Sequence, residues 1–294
     1  MNYYTIKDLE SLSGIKAHTI RIWEKRYGLL VPDRTNTNIR FYTGEELKHL
    51  LNVAALVKRG HKISKVSVYS AQRIREEVLK LNREASSMDD FIDQLVIHIL
   101  NFDTDKFESL LDTLQNRYGF EKLITDIVFP LFQKVGVYWQ IGSMFPAQEH
   151  MVSNLVRQRI IVESAKIKHT PNAKTVLLFL PDNEQHELSL LFSRYLALRN
   201  NFETIYLGQN VPFADIQALA GTKVVDLIVT VFVNVMEKED IEKYLVDLRS
   251  LFSTVPIAVS GLQIRSKDPA LPSNVYFIRD VESYRSILSK VNRN

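Results

Sequence analysis

Glu184-Gln185-His186 places an acid two residues ahead of an imidazole, where an apolar run ends and a helical pattern begins. An acid so placed can hold one ring nitrogen and set the tautomer in which the other binds a metal, so His186 is a candidate ligand and Glu184 its outer partner. A single His at a loop–helix junction is more often a solvated or capping residue, and both readings stand at this point. Trp139, followed after nine intervening residues by Glu149-His150, forms a second group. A third is basic and N-terminal: Lys16, His18, Thr19 and Arg21 in one short segment, then Arg34 and Arg40 with Tyr42 around a polar turn. Side chains of these types meet phosphates and base edges of duplex DNA. The 294 residues include no cysteine, which excludes disulfides and thiolate metal sites.

The elements that must carry these residues are legible in turn. Residues 1–80 hold 15 Lys/Arg against 8 Asp/Glu, although the whole chain is only +3. That asymmetry points to a polyanionic partner for the N-terminal part. Thr5 is an N-cap ahead of an apolar-periodic run, and Gly14 breaks the chain. A second helix runs from about Ala17 to about Tyr27 with Ile20 and Trp23 on one face. Two short helices around a Gly-bearing turn predict a helix-turn-helix, with Lys16, His18 and Thr19 nearest the bases of the major groove. Arg34-Thr35-Asn36-Thr37-Asn38 then separates two short extended arms, a β-hairpin wing that would set Arg34 and Arg40 against phosphates. Thr43 with Glu46 is a capping box opening a helix through about Val57, closed by Gly60.

From Met88 to about Lys168 the apolar spacing is helical, with breaks at Asn101-Phe102-Asp103, Tyr118-Gly119 and Gly142-Ser143. Four helices predict a four-helix bundle. After Pro171 the period changes: apolar runs at 175–180, 204–207, 227–233, 257–259 and 275–278 alternate with helices such as 188–200 and 239–251. That alternation predicts a doubly wound, Rossmann-like α/β parallel sheet, whose ligands bind beyond the carboxyl ends of the strands. The loop 181–186 is therefore the first place to look. The chain reads as multidomain: an α winged helix-turn-helix over 1–75, a bundle over 88–168 and an α/β domain over 172–294. The helix at 72–84 is too short for an independent coiled coil, so a dimer or tetramer is expected through the C-terminal domains. No signal segment and no membrane-spanning apolar run is found, which with the lack of cysteine fits a cytoplasmic protein.

Tyr4-Thr5-Ile6, the unbroken run Thr19-Ile20-Arg21-Ile22-Trp23-Glu24-Lys25-Arg26-Tyr27-Gly28-Leu29-Leu30, and Arg34-Thr35 with Asn38-Ile39-Arg40-Phe41-Tyr42 resemble the DNA-binding domain of the MerR family. The resemblance covers nearly 75 residues in order. It implies a sequence-specific regulator on double-stranded operator DNA, with Lys16, His18, Thr19, Arg21, Arg34, Arg40 and Tyr42 at the interface. Asn38 stands where relatives often carry Gly, and Asn also tolerates left-handed backbone.

Glu184 and His186, the strand-end segments Tyr206–Pro212 and Ser260-Gly261, and Trp139 with Glu149-His150 together resemble the cobalamin-binding module of methionine synthase. Behind a MerR domain, they resemble the CarH, CarA and LitR group of light-responsive repressors. The resemblance implies a cobalamin, as adenosylcobalamin or methylcobalamin, with His186 as lower cobalt ligand and Glu184 beside it. It places Trp139, Glu149 and His150 over the upper face, and Ser189, Thr230, Ser260 and Gly261 along the nucleotide tail. It further implies a repressor controlled by cobalamin and responsive to light. Several positions depart from the pattern. Ser189 replaces a Gly, Thr230-Val231-Phe232 stands for Ser-x-Leu, Ser260-Gly261 for Gly-Gly, and Gln140 for a His. A cobalamin-independent regulator, whose C-terminal module serves dimerisation or partner binding, is the alternative. An enzyme is not expected, since a DNA-binding domain leads the chain and no catalytic motif accompanies it.

Overall fold

The computed structural model describes residues 3–34, 40–84, 87–140, 144–168 and 170–293. The chain divides into two compact units, Met1–Leu155 and Val156–Asn294. In the first, α1 (Ile6–Ser13) opens with a full capping box in which Thr5 and Asp8 satisfy each other's backbone amides. Gly14 ends it at φ 68, a left-handed turn that lets the chain enter α2 (Ala17–Tyr27) within three residues. Ile20 and Trp23 are buried on α2, as the spacing predicts. β3 (Arg40–Thr43) pairs antiparallel with β2 (Asp33–Arg34), Arg34 facing Arg40, and these are the arms of the wing. The wing's turn, 35–39, lies outside the described residues. β1 (Tyr3–Tyr4) pairs on the other side of β3, and two residues carry no alternation from which to predict it.

Thr43 and Glu46 box the start of α3 (Gly44–Lys58), followed by α4 (Ile63–Val66) and α5 (Ala71–Glu84). Four helical stretches then follow. They are α6 (Met88–Leu100), α7 (Thr104–Tyr118), α8 (Phe120–Lys122) running through a π-helical segment Leu123–Val128 into α9 (Phe129–Gln140), and α10 (Pro146–Ala165). Two of the three expected breaks fall where the sequence puts them; the third, at 142–143, lies outside the described residues. The first unit includes both the helix-turn-helix and the helices up to the middle of α10, because α3 packs directly on α6.

The second unit is a five-stranded parallel sheet ordered β5-β4-β6-β7-β8, from β4 (Thr175–Phe179), β5 (Glu203–Gly208), β6 (Leu227–Val231), β7 (Ile257–Ser260) and β8 (Val275–Phe277). The order reverses at β4, as in a doubly wound sheet. β6 is buried at all five positions because helices cover both faces. On one face Leu177, Phe179, Ile228, Ile257 and Val259 pack against α12 (Phe213–Ala220), α13 (Lys238–Leu251) and α14 (Leu262–Lys267). α11 (Leu188–Arg199) and α15 (Val281–Arg293) cover the other, as right-handed crossovers require. Full burial of each such aliphatic side chain stabilises the fold by about 1.5–3 kcal/mol.

Candidate cofactor loop and nucleic-acid interface

The loop between β4 and α11 delivers Glu184, His186 and Glu187 at the carboxyl end of the central strand. Glu184 is 4% exposed, and its Oε1 meets His186 Nδ1 at 2.7 Å. The same oxygen accepts the amides of Gln185 and His186 at 3.0 Å each, and Oε2 accepts those of Val233 and Asn234 at 2.6 and 2.7 Å. Burial alone would raise the Glu184 pKa. The His186 ring and the amides of Asn234, His186 and Val233 outweigh it and hold the carboxyl down at about 2. A carboxylate so fixed takes the proton-bearing Nδ1 and sets the tautomer whose Nε2 carries the lone pair. The ring itself remains 58% exposed.

Asn183 and Asn210, at φ 63 and 51, let the backbone close around this loop: Asn183 N donates to Asn210 Oδ1, and Asn210 N to the Glu184 carbonyl. On the far side of His186, buried Glu187 accepts Arg157 Nε at 2.5 Å and the Tyr206 hydroxyl at 2.7 Å. The sequence reading missed Glu187 and the amides of Val233 and Asn234. Backbone donors carry no side-chain signal, and an acid beside a charged helix start looks like a solvated cap. It also missed an exposed apolar rim at the strand ends, with Val235 86% and Leu262 58% exposed.

The residues expected along a nucleotide tail divide. Ser189 lies half-buried in the first turn of α11, and Ser260 pairs with Val231 on the sheet face that α11 and α15 cover. Thr230 pairs with Phe179 and Val259, both in the core against α12–α14, so its side chain points to the opposite face from Ser189 and Ser260. Strand alternation makes Val231 the β6 residue on the α11 side. Thr230 is fully buried and its hydroxyl has no hydrogen-bond partner among the described residues. Gly261, at φ 112, lies on the backbone of Phe232, where a Cβ would come within 2.1 Å of the carbonyl oxygen.

In the first unit, Glu149 and His150 sit in the opening turns of α10, 3.5 Å apart, with Ser153 Oγ donating to Glu149 at 2.5 Å. Trp139 and Gln140 end α9, where the backbone alone is described.

A tetrapyrrole-like macrocycle brings four nitrogens of its own, so it needs one imidazole rather than a side-chain cluster. Among the described residues no cluster of three metal-ligating side chains exists. A positioned His186, with exposed Val235 and Leu262 in the loops after β6 and β7 at the same end of the sheet, therefore fits such a group: one donor and apolar side chains. Thr230 does not fit the tail position expected of it.

On the N-terminal face, Lys16, His18, Arg21 and Arg34 are exposed and Thr19 is half-buried, His18 Nε2 lying 3.2 Å from Thr19 Oγ1. Lys16 pairs with Glu10 at 3.3 Å. His18, Arg21, Ile22 and Lys25 fall on one exposed stripe of α2, which adds Ile22, an exposed apolar side chain, to the set. One expected contact is corrected. Tyr42 is 0% exposed and donates its hydroxyl to Glu24 at 3.1 Å, so it braces the wing from inside. Arg40 gives its Nε to the other oxygen of Glu24 at 3.0 Å. Both tie the wing to α2.

Residues 4–72 match the family model described as MerR HTH family regulatory protein, and residues 91–162 match one described as B12 binding domain. The chain is 27% identical over 270 residues to the HTH-type transcriptional repressor CarH of Myxococcus xanthus, covering 90% of each. It is 26% identical over 261 residues to CarA of the same organism, covering 88% of this chain and 87% of that one. The solved monomethylamine corrinoid protein of Methanosarcina barkeri superposes with a TM-score of 0.56 at 16% identity, over 69% of this chain and all of its own, a likeness of fold. No helix among the described residues is long and apolar enough to cross a membrane.

Proposed function

Because this chain is a homologue of the CarH and CarA repressors, a transcriptional regulator pairing a MerR-type helix-turn-helix with a B12-binding domain, we propose that cobalamin controls its hold on operator DNA and that it acts as a repressor. The observation that carries this is the clamped, exposed imidazole of His186 on buried Glu184 at the carboxyl end of the sheet. His186 would hold the cobalt, with Glu184 setting its tautomer. Ser189, Val231, Ser260 and Gly261 would line the nucleotide tail, and Trp139, Glu149 and His150 are the helical domain's candidate residues for the cofactor. An alkyl cobalamin supplies a cobalt–carbon bond that light cleaves, which is the cofactor's own chemistry. Gln140 offers an amide where an imidazole would bind cobalt better, and His150 would be the helical domain's imidazole able to do so. A second copy of the chain, joined through the C-terminal domains, would match the two-fold symmetry of an operator.

Visible absorbance decides this reading. The purified chain incubated with adenosylcobalamin and passed through gel filtration is expected to keep a corrin spectrum, and His186→Ala to lose it at unchanged circular dichroism. Equal retention by both removes His186 as ligand. A colourless wild type moves the function to the alternative, a regulator whose C-terminal module binds partner proteins.

A further inference from the structure

The last residues of α3 and the residue that caps it reach across to α6. Arg59 grips Asp90 with two nitrogens, Nε to Oδ1 at 3.2 Å and Nη2 to Oδ2 at 2.5 Å. Asp90 is also the acid of the capping box that starts α6, shared with Ser87. Lys58 Nζ lies 3.2 Å from Asp93 Oδ2, and the other oxygen of Asp93 accepts from Lys134 on α9. One carboxylate thus joins three helices. Lys58 also lies over the helix-turn-helix itself, since a Cβ built on Gly14 would be 3.8 Å from its Nζ. Around it Leu12, Ser13, Leu51 and Ala54 close on Val96 and Ile97 of α6.

We propose that Asp93, held between Lys58 and Lys134, is the joint through which a displacement of α9 reaches the helix-turn-helix. It rests on the cobalamin reading only for what moves α9, which ends at Trp139 and Gln140, five and six residues beyond Lys134. Coupling between sites needs an element with two arrangements that both sites bias. Asp93 is such an element. With Lys134 engaged its charge is divided between two ammonium groups. With Lys134 withdrawn, the carboxylate is no longer fixed between two ammonium groups, and Lys58, which it holds over the Gly14 turn, loses its place. All three groups are partly exposed, at 24% for Asp93, 31% for Lys134 and 45% for Lys58, so the joint weakens with added salt. The α3–α6 contact around it is apolar and persists.

Amide hydrogen exchange on the full chain without cofactor reads the joint directly. Lys134→Met and Asp93→Asn are each expected to speed exchange at residues 13–17 at least about threefold, although Lys134 touches none of them. Lys106→Met, which breaks the exposed Lys106–Asp103 pair of the same bundle, should leave those amides unchanged. Lys134→Arg keeps the charge and should stay at the wild-type rate. Wild-type exchange in both Lys134→Met and Asp93→Asn overturns the joint, and so does an equal change in Lys134→Arg, which would mark packing rather than charge. Lys58→Met reaches the same carboxylate should Lys134→Met fail to fold. A second readout is the ratio of operator Kd with and without adenosylcobalamin, expected on the order of 5–150-fold for a coupled pair of sites. That ratio should fall toward one in Asp93→Asn at unchanged cobalamin retention, and a ratio held at the wild-type value overturns the joint. A wild-type ratio of one, with the exchange effect intact, overturns cobalamin control and leaves the joint standing.

Discussion

Glu24 and Glu184 each bind a side chain whose type marks it for function, and they leave those side chains in opposite states. Glu24 takes Arg40 and Tyr42 inward: Tyr42 is fully buried, and burial followed by the Glu24 charge pushes its hydroxyl pKa up. Glu184 is itself the buried partner, satisfied by four backbone amides, and it leaves the His186 ring facing outward. In the wing the acid uses functional-looking residues to fix architecture. In the β4–α11 loop the architecture fixes the acid so that its partner is presented. The difference lies in who satisfies the carboxylate. Side-chain donors must come to Glu24, whereas backbone donors at the end of β6 are already in place for Glu184.

The comparison breaks most severely where those backbone donors are built. Gly261 lies against Phe232, the residue before Val233, and Phe232 O accepts the amide of Gln263. Gly261→Ala would put a Cβ 2.1 Å from that oxygen at φ 112, a region open to glycine alone. Backbone strain of that kind costs on the order of 3 kcal/mol before the overlap is relieved. The melting temperature should fall by roughly 10 °C, on a scale of about 2–4 °C per kcal/mol for a domain of this size. A shift under about 2 °C would mean that the β6 end moves freely, and that Glu184 does not depend on it.

Paired amide substitutions sharpen the contrast next. Glu184→Gln keeps the shape but offers one acceptor oxygen to donors that now meet both carboxylate oxygens, and it removes the charge that orients His186. Outer partners of metal ligands typically contribute about 10–100-fold in affinity, so cobalamin retention should fall by that factor, and the buried amide set against backbone N–H donors should lower stability by about 1–3 kcal/mol. Glu24→Gln should lower stability alone, by about 1 kcal/mol, and leave cobalamin retention unchanged. Equilibrium titration of both variants against adenosylcobalamin, with melts in parallel, checks the pair. Equal losses of retention in the two would erase the distinction.

Most elements are legible because their signals are local. Thr5, Thr43 and the breaks at 101–103 and 119 mark helix ends through caps and turns within a few residues, and the five apolar runs of the sheet lie within a residue or two of the observed strands. The pairing of Glu184 with His186 is equally local. What failed to show were facts of register and long range. The face of Thr230 depends on its pairing with Phe179 and Val259, and a one-residue offset reverses it. The burial of Tyr42 depends on Glu24, eighteen positions earlier. The union of the helix-turn-helix with the following helices depends on Lys58, Arg59, Asp90 and Asp93, charges that read individually as a solvated surface.

The smallest expected effect separates the two wing arginines. A Lys or Arg that neutralises a phosphate on binding releases a counterion, so its removal flattens the salt dependence of operator affinity by about one in log–log slope. Arg34 is exposed on the outer arm of the wing, and Arg34→Ala should show that full change. Arg40 lies directly across the ladder, but its charge is offset by Glu24 at 3.0 Å. A phosphate must compete with that carboxylate, so Arg40→Ala should flatten the slope by less than half as much while lowering affinity by a similar factor on every sequence, through a loosened wing. Fluorescence titrations from about 50 to 200 mM salt span enough of the screening range to resolve the two. If both substitutions change the slope equally, Arg40 leaves Glu24 when the duplex arrives. Glu24 would then be a latch that opens on binding, and its contrast with Glu184 would hold only off DNA.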